Sequence, residues 1–370
     1  MSMVIDAENT FNRYWGVPLA TLDDLYSLSY VMDSKIMLWM SSNELEKLSN
    51  GESQQIIQLL ASNPNVSIVP TRPTNSKMWY QQFYRHFELN SIFHFIDHFP
   101  AIKVTRSTRI LRIHDPFSLF RNPLREFISR DSCKNKISRA TRSFAFKRIV
   151  EESILVCNSN FTANRVSDIY NISRELIHVV PNSFMFLPYN ELQKFVASNN
   201  NYFLIISGLR GNKRPDLIIN FWATLSDQFP NLIVVGKVPL ECLSPKARIQ
   251  LSKQRLILRD FVEENELWKL KTNANAMIFA SESEGFGRPI VEALSVGVPS
   301  IANDIEVFRE ILPNTVDLFD LNNLETLEVL LVKYCNKITA QKSKELIELS
   351  SIYSHQNVSA IWDTVLRVHY

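Results

Sequence analysis

The chain has 370 residues, 45% of them hydrophobic, and a net charge of +2. That length suits two domains with ample core in each, and no run of 18 apolar residues is present to cross a membrane as a helix. Cys133, Cys157, Cys242 and Cys335 are scattered with no CxxC pair, so reduced thiols are expected rather than a metal site or disulfides. The N-terminus, Met1-Ser2-Met3-Val4-Ile5-Asp6, has neither a basic stretch nor an apolar core, so a secretory signal is not expected and the reading is cytoplasmic. The charge is uneven. Residues 101–150 hold thirteen Lys/Arg against Asp115, Glu126 and Asp131, a net +10, which leaves −8 on the remainder.

In chain order, the first half reads as strands at 3–6, 35–40, 66–69, 91–95, 109–113, 153–157 and 177–180. Helices fall at about 18–30, 53–62, 77–88 and 160–170. The aromatic run Met78, Trp79, Tyr80, Phe83, Tyr84, Phe87 has the spacing of a core helix. An irregular insertion occupies about 118–150. Pro181-Asn182 and the polar run 197–201 flank the expected domain boundary, giving domains at 1–183 and 184–355 and a terminal helix at 356–370.

From residue 203 the alternation is cleaner. Apolar runs at 203–207, 232–235, 256–258, 276–280 and 299–302 are separated by helical periods at about 215–229, 264–272, 289–296 and 305–311. Alternating βα units predict a parallel sheet with helices on both faces and a ligand at the carboxyl ends of the strands. Six of the eight glycines lie after residue 200, where close backbone approach to a ligand is then expected.

One segment concentrates the chemistry. Glu284 and Glu292 are joined by Gly285-Phe286-Gly287-Arg288-Pro289-Ile290-Val291, so one acid sits in a glycine loop and the other about two turns on, inside a helix. Pro289 suits the first helical position and Gly297 the residue past the end. Loop amides at a helix N-terminus attract phosphate. Carboxylates accept hydroxyl protons, and a sugar nucleotide carries both groups.

The stretch Ser281-Glu282-Ser283-Glu284-Gly285-Phe286-Gly287-Arg288-Pro289-Ile290-Val291-Glu292-Ala293-Leu294, followed by Gly297-Val298-Pro299-Ser300-Ile301, resembles the donor-site signature of retaining glycosyltransferases of family four. The resemblance implies an α/β chain of GT-B fold. Two Rossmann-like domains would turn parallel sheets to a central cleft, with the C-terminal helix crossing back to the first domain. It further implies Glu284 on the donor sugar, Glu292 on the ribose, and the amides of Gly285, Phe286 and Gly287 on sugar or phosphate. No cofactor or metal is expected; the nucleoside diphosphate sugar is a substrate.

Other segments match more loosely. Ser207-Gly208-Leu209-Arg210-Gly211-Asn212-Lys213-Arg214-Pro215 follows a strand and opens a helix, as a diphosphate loop would. The family has an Arg where Leu209 stands, so Arg210 is taken as its replacement, beside Lys213 and Gly208. Arg112-Ile113-His114-Asp115-Pro116-Phe117 resembles the His-Asp segment of the acceptor domain; His114 would meet a sugar hydroxyl or shape the pocket, or be a structural histidine held by Asp115. His94 lies in a family-like strand. Of the family's N-terminal glycine loop only Gly16 remains, with Pro18 replacing a second glycine.

The basic segment 121–148 interleaves cations with Leu124, Phe127, Ile128, Ile137, Phe144 and Phe146. It reads either as a solvated face or as a surface for an anionic membrane; no nucleic-acid motif accompanies it.

The expected reaction is transfer of a hexose to a glycan or lipid-linked acceptor, with retention. The region 301–310 resembles bacterial surface-polysaccharide mannosyl- and rhamnosyltransferases, which makes GDP-mannose the expected donor and O-antigen or capsule assembly the setting, inside the cell or on the inner membrane face. Glu284, Lys213 and His114 are the catalytic candidates. A non-catalytic GT-B subunit and a GT-B sugar-nucleotide epimerase are the alternatives.

Overall fold

The computed structural model describes residues 3–6, 16–31, 36–40, 63–64, 66–70, 92–96, 109–114, 153–184, 192, 201–207, 212–260 and 262–369. The chain divides into two compact units, Met1–Phe184 with His355–Tyr370, and Met185–Ser354.

Among the described residues the first unit has seven parallel strands. They are β1 (Met3–Asp6), β2 (Ile36–Met40), β3 (Val66–Pro70), β4 (Ile92–Ile96), β5 (Arg109–Ile113), β6 (Ile154–Cys157) and β7 (Ile177–Val179), in the order β3-β2-β1-β4-β5-β6-β7. All seven fall where the apolar runs placed them. Helix α1 (Gly16–Ser29) follows β1, so Gly16 opens a helix instead of lying in a loop. Helix α2 (Asn160–Tyr170) is capped by Ser159, whose hydroxyl accepts from the Thr162 N–H at 3.0 Å, and it ends at Asn171 in the left-handed region.

The second unit repeats the plan with β8 (Tyr202–Ile206), α3 (Pro215–Trp222), β9 (Asn231–Val235), α4 (Pro245–Ser252), β10 (Leu256–Arg259), α5 (Glu264–Asn273), β11 (Ala276–Phe279), α6 (Arg288–Ser295), β12 (Ser300–Asn303), α7 (Glu306–Glu310), β13 (Asp317–Phe319), α8 (Glu325–Lys333) and α9 (Ala340–Ser350). Its six strands are parallel, in the order β10-β9-β8-β11-β12-β13. Strands β8 and β11 are buried almost throughout, as a sheet covered on both faces requires. Phe203, Ile218, Ile219, Leu232, Ile301 and Leu331 form the centre of this core at 0% exposure. Helix α3 is shorter than the expected 215–229. It stops at Trp222, whose indole donates to the Pro230 carbonyl at 3.2 Å and folds the following turn back.

The last helix, α10 (His355–His369), belongs to the first unit and packs on α1. Val358, Trp362 and Val365, at i, i+4 and i+7, bury one stripe among Met3, Leu28, Ile36 and Val156. The helices expected at 53–62 and 77–88 and the basic segment 121–148 lie outside the described residues. No helix among the described residues is long and apolar enough to cross a membrane.

Candidate active site

In the second unit the connections leave β8 in opposite directions, so a gap opens between β8 and β11 at their carboxyl ends. Ser207 follows β8 and Ser281 follows β11. With Lys213, Glu284, Pro289 and Phe308 they line a pocket at that gap.

Two loops meet there, one leading into α3 and one into α6. Asn212 joins them: its carbonyl accepts from the Glu282 N–H at 2.7 Å, and its Nδ2 donates to the Ser283 carbonyl at 2.7 Å. Arg214, in the left-handed region at φ 34, donates to Glu282 Oε1 at 2.7 Å and lies 3.4 Å from Asp216 Oδ1. The second loop turns through Gly287 at φ 97. A Cβ at this position would stand 2.8 Å from the Phe308 ring and 2.9 Å from Ile311, so both space and backbone require glycine. Gly287 caps α6, Arg288 is its first residue and Pro289 its second, one place later than the sequence suggested. At the far end Gly297, at φ 73, donates to the Leu294 carbonyl and Val298 to that of Ala293, a two-bond closure of the helix terminus.

This scaffold fixes both acids. Lys213 Nζ lies 2.7 Å from Glu284 Oε1, and the Ser281 hydroxyl donates to the same oxygen at 2.8 Å. Ser281 is itself held, its carbonyl accepting from Asn303 Nδ2 at 3.0 Å. Glu292, inside α6, receives Arg288 Nε on Oε1 at 2.9 Å and Lys271 Nζ on Oε2 at 2.6 Å. Burial alone would raise the Glu292 pKa, but the two cations outweigh it and hold the carboxyl below its ordinary range. Gly285, Phe286 and Gly287 are all buried; the Phe286 ring meets Tyr353 edge-on at 5.4 Å. Among the described residues no group of three or more His, Cys, Asp or Glu is gathered as a metal site.

The first unit holds a second polar cluster. Arg112, in β5, is fully buried. Its Nε lies 3.1 Å from Asp24 Oδ2 on α1, its guanidinium donates to the carbonyls of Cys157 (3.2 Å) and Val180, and it stands over the Trp362 ring at 5.4 Å. Burial raises the Asp24 pKa to about 6, against the opposing pull of Arg112 and the Trp362 indole. The His114 ring is 5% exposed, with Nε2 3.9 Å from the same Asp24 oxygen, and the His114 carbonyl accepts from Asn158 Nδ2 at 2.7 Å. Among the described residues Asp24 is an acid beside His114; Asp115 lies outside the described residues, as do Gly208 and Arg210. The side chain of His94, in β4, is likewise outside them.

Residues 190–335 match the family described as Glycosyl transferases group 1. That match covers most of the second unit. The chain is 28% identical over 221 residues to the O-antigen chain mannosyltransferase RfbU of Salmonella typhimurium, covering 58% of this chain and 61% of that one. It is 40% identical over 85 residues to the serotype-specific mannosyltransferase WbdA of Escherichia coli, 22% of this chain and 10% of that one. The chain thus spans less than two thirds of either relative. In three dimensions it resembles Anabaena Alr3699/HepE, solved with UDP and glucose, at a TM-score of 0.67 and 15% identity over 100% of both chains. That likeness shows the GT-B fold.

Of the candidates read from sequence, Lys213, Glu284 and the 285–287 loop come together in the second unit, with Glu292 one helix turn beyond Arg288. Sequence reasoning missed Lys271 and Asn212. Lys271 sits in the last turn of α5 at a buried position, which only the fold reveals.

Proposed function

We propose that the protein is a retaining, metal-independent glycosyltransferase. It moves a hexose, mannose from GDP-mannose in the first instance, from a nucleoside diphosphate sugar to a hydroxyl of a glycan or lipid-linked acceptor in surface-polysaccharide assembly. The observation that carries this reading is the meeting of Lys213 and Glu284, 2.7 Å apart, at the strand gap of the unit whose residues 190–335 match the group 1 family. RfbU and WbdA, both named as mannosyltransferases, favour the sugar.

Lys213 would neutralise the leaving diphosphate, Glu284 would accept from sugar hydroxyls, and Glu292 from the ribose. In the transfer, the anomeric carbon–oxygen bond to phosphate breaks and a bond to the acceptor oxygen forms on the same face. The acceptor proton passes to the departing phosphate oxygen, so no side-chain base is required. A shaping role for His114 fits its burial against Asp24 better than direct contact with a hydroxyl. The segment 121–148 would hold the protein on an anionic membrane surface, with the catalytic units on the cytoplasmic side.

A thermal-shift panel of UDP, GDP and their sugar conjugates tests the donor. A ligand at about 100 times its Kd stabilises by about 2.7 kcal/mol, and the diphosphate giving the largest shift names the donor class. Absence of any shift, together with no transfer of labelled hexose, would sink the reading. Donor turnover without acceptor would point to an epimerase. Sedimentation with anionic vesicles at low salt tests the surface.

A further inference from the structure

The described cations of this site are already paired. Among the described residues, Lys213 is paired with Glu284, Arg214 with Glu282 and Asp216, and Lys271 and Arg288 with Glu292. Among the described residues, then, these four cations meet four carboxylates, and Lys213 can turn to a diphosphate entering the pocket only by leaving Glu284. The Lys213–Glu284 pair lies on the pocket wall, with side chains 22% and 18% exposed. It is shielded enough to matter electrostatically and open enough to be exchanged.

We infer that Glu284 competes with the diphosphate for Lys213, and that this makes the site select ligands bearing a sugar over the bare nucleoside diphosphate. The inference rests on the donor-site reading above. For Lys213 to turn its ammonium to phosphate, Glu284 must give up its cation. A carboxylate left without that partner beside an incoming dianion is penalised twice, by the lost pair and by like-charge repulsion. A ligand that presents hydroxyls compensates Glu284 by donating to it, while Ser281 keeps the carboxylate in place through the shared oxygen. A ligand ending in a terminal phosphate does not. Glu284 is then a gate on product retention as well as a sugar contact: when the hexose leaves, the carboxylate returns to Lys213 and weakens the hold on the departing diphosphate.

The test is a binding cycle with Glu284→Gln, Lys213→Met and the double variant. Affinities are measured by calorimetry for inorganic pyrophosphate, GDP, UDP, GDP-mannose and UDP-glucose, with thermal melts to confirm folding. Glutamine keeps the shape and one acceptor oxygen but replaces the other with an NH2 donor and removes the charge. Glu284→Gln is expected to bind pyrophosphate and the preferred nucleoside diphosphate roughly tenfold tighter than wild type. The sugar-bearing form should gain nothing or lose affinity. In the Lys213→Met background the gain should vanish, since it runs through that ammonium. A folded Glu284→Gln protein that binds the bare diphosphate no more tightly than wild type overturns the inference while leaving the donor reading intact. A gain that persists without Lys213 also overturns it. If wild type and variant both ignore every nucleotide and pyrophosphate, the donor reading falls and the inference falls with it.

Discussion

Lys271 places its ammonium 2.6 Å from Oε2 of Glu292, while Arg288 occupies the other oxygen at 2.9 Å. The second acid of the motif is thus fixed by residues from two helices before any ligand arrives. This preorganisation has a stability consequence. Replacing Lys271 by Met leaves a largely buried carboxylate with one cation instead of two. The expected cost is about 1–3 kcal/mol, read from urea denaturation, together with a raised KM for the donor. An unchanged midpoint would mean that the pair is not formed in solution.

Glu292 also carries a pH signature. Its native pKa lies below the ordinary value, so it contributes stability above the unfolded pKa of 4.5 and loses it as pH falls through the lower native value. Glu292→Gln should remove that part of the acid limb. Melting temperatures of wild type and variant should converge as pH drops below about 4.5, and parallel curves would contradict the assignment.

Asp24 has the opposite sign. Its native pKa is raised to about 6 from 3.8, so the folded state holds a proton that the unfolded chain has released. Between those values its contribution falls as pH rises. Asp24→Asn should abolish this slope, and the difference between wild-type and variant stability should decline from pH 4 to 6. Asp24→Ala is harsher, because it strips fully buried Arg112 of its carboxylate; about 3–5 kcal/mol of loss at pH 7 is expected by chemical denaturation.

Gly287→Ala should act on the loop directly. The added methyl group meets Phe308 and Ile311 in a left-handed backbone, at a cost of about 1–3 kcal/mol. Donor binding should weaken with stability, and full retention of both would refute the close packing.

Glu284→Ala tests the chemistry. Transfer should fall by about 100-fold or more, with a melting temperature near that of wild type because the side chain stands at the pocket wall. Retained activity would remove Glu284 from the donor site.

Much of this was legible in the residues. Strands β8 and β11 announce themselves because a parallel strand covered on both faces must be apolar throughout, and Glu284 and Glu292 are marked by the glycines between them. Short β13 was not visible, since Asp317-Leu318-Phe319 at a sheet edge carries only three residues of signal. Helices α4, α8 and α9 were missed as well, because their long exposed faces dilute the apolar period. Arg112 was read as part of an acceptor segment, yet β5 lies between β4 and β6. A charge in the middle of an interior strand cannot reach water and must find an internal partner. That rule points to a core role from sequence alone, but not to Asp24, which is 88 positions earlier. Pairing across such distances is set by the fold.

The placement of α10 has an outcome for biosynthesis. The first unit begins the chain, but Val358, Trp362 and Val365, which complete its core, are made only after the whole of the second unit. Met3, Leu28 and Ile36 can therefore meet these side chains only after the second unit has been synthesised. Ser183 and His355, which flank the two crossings between units, then meet through a hydrogen bond of 2.8 Å, so the step that finishes the first unit also ties its outgoing and returning strands together.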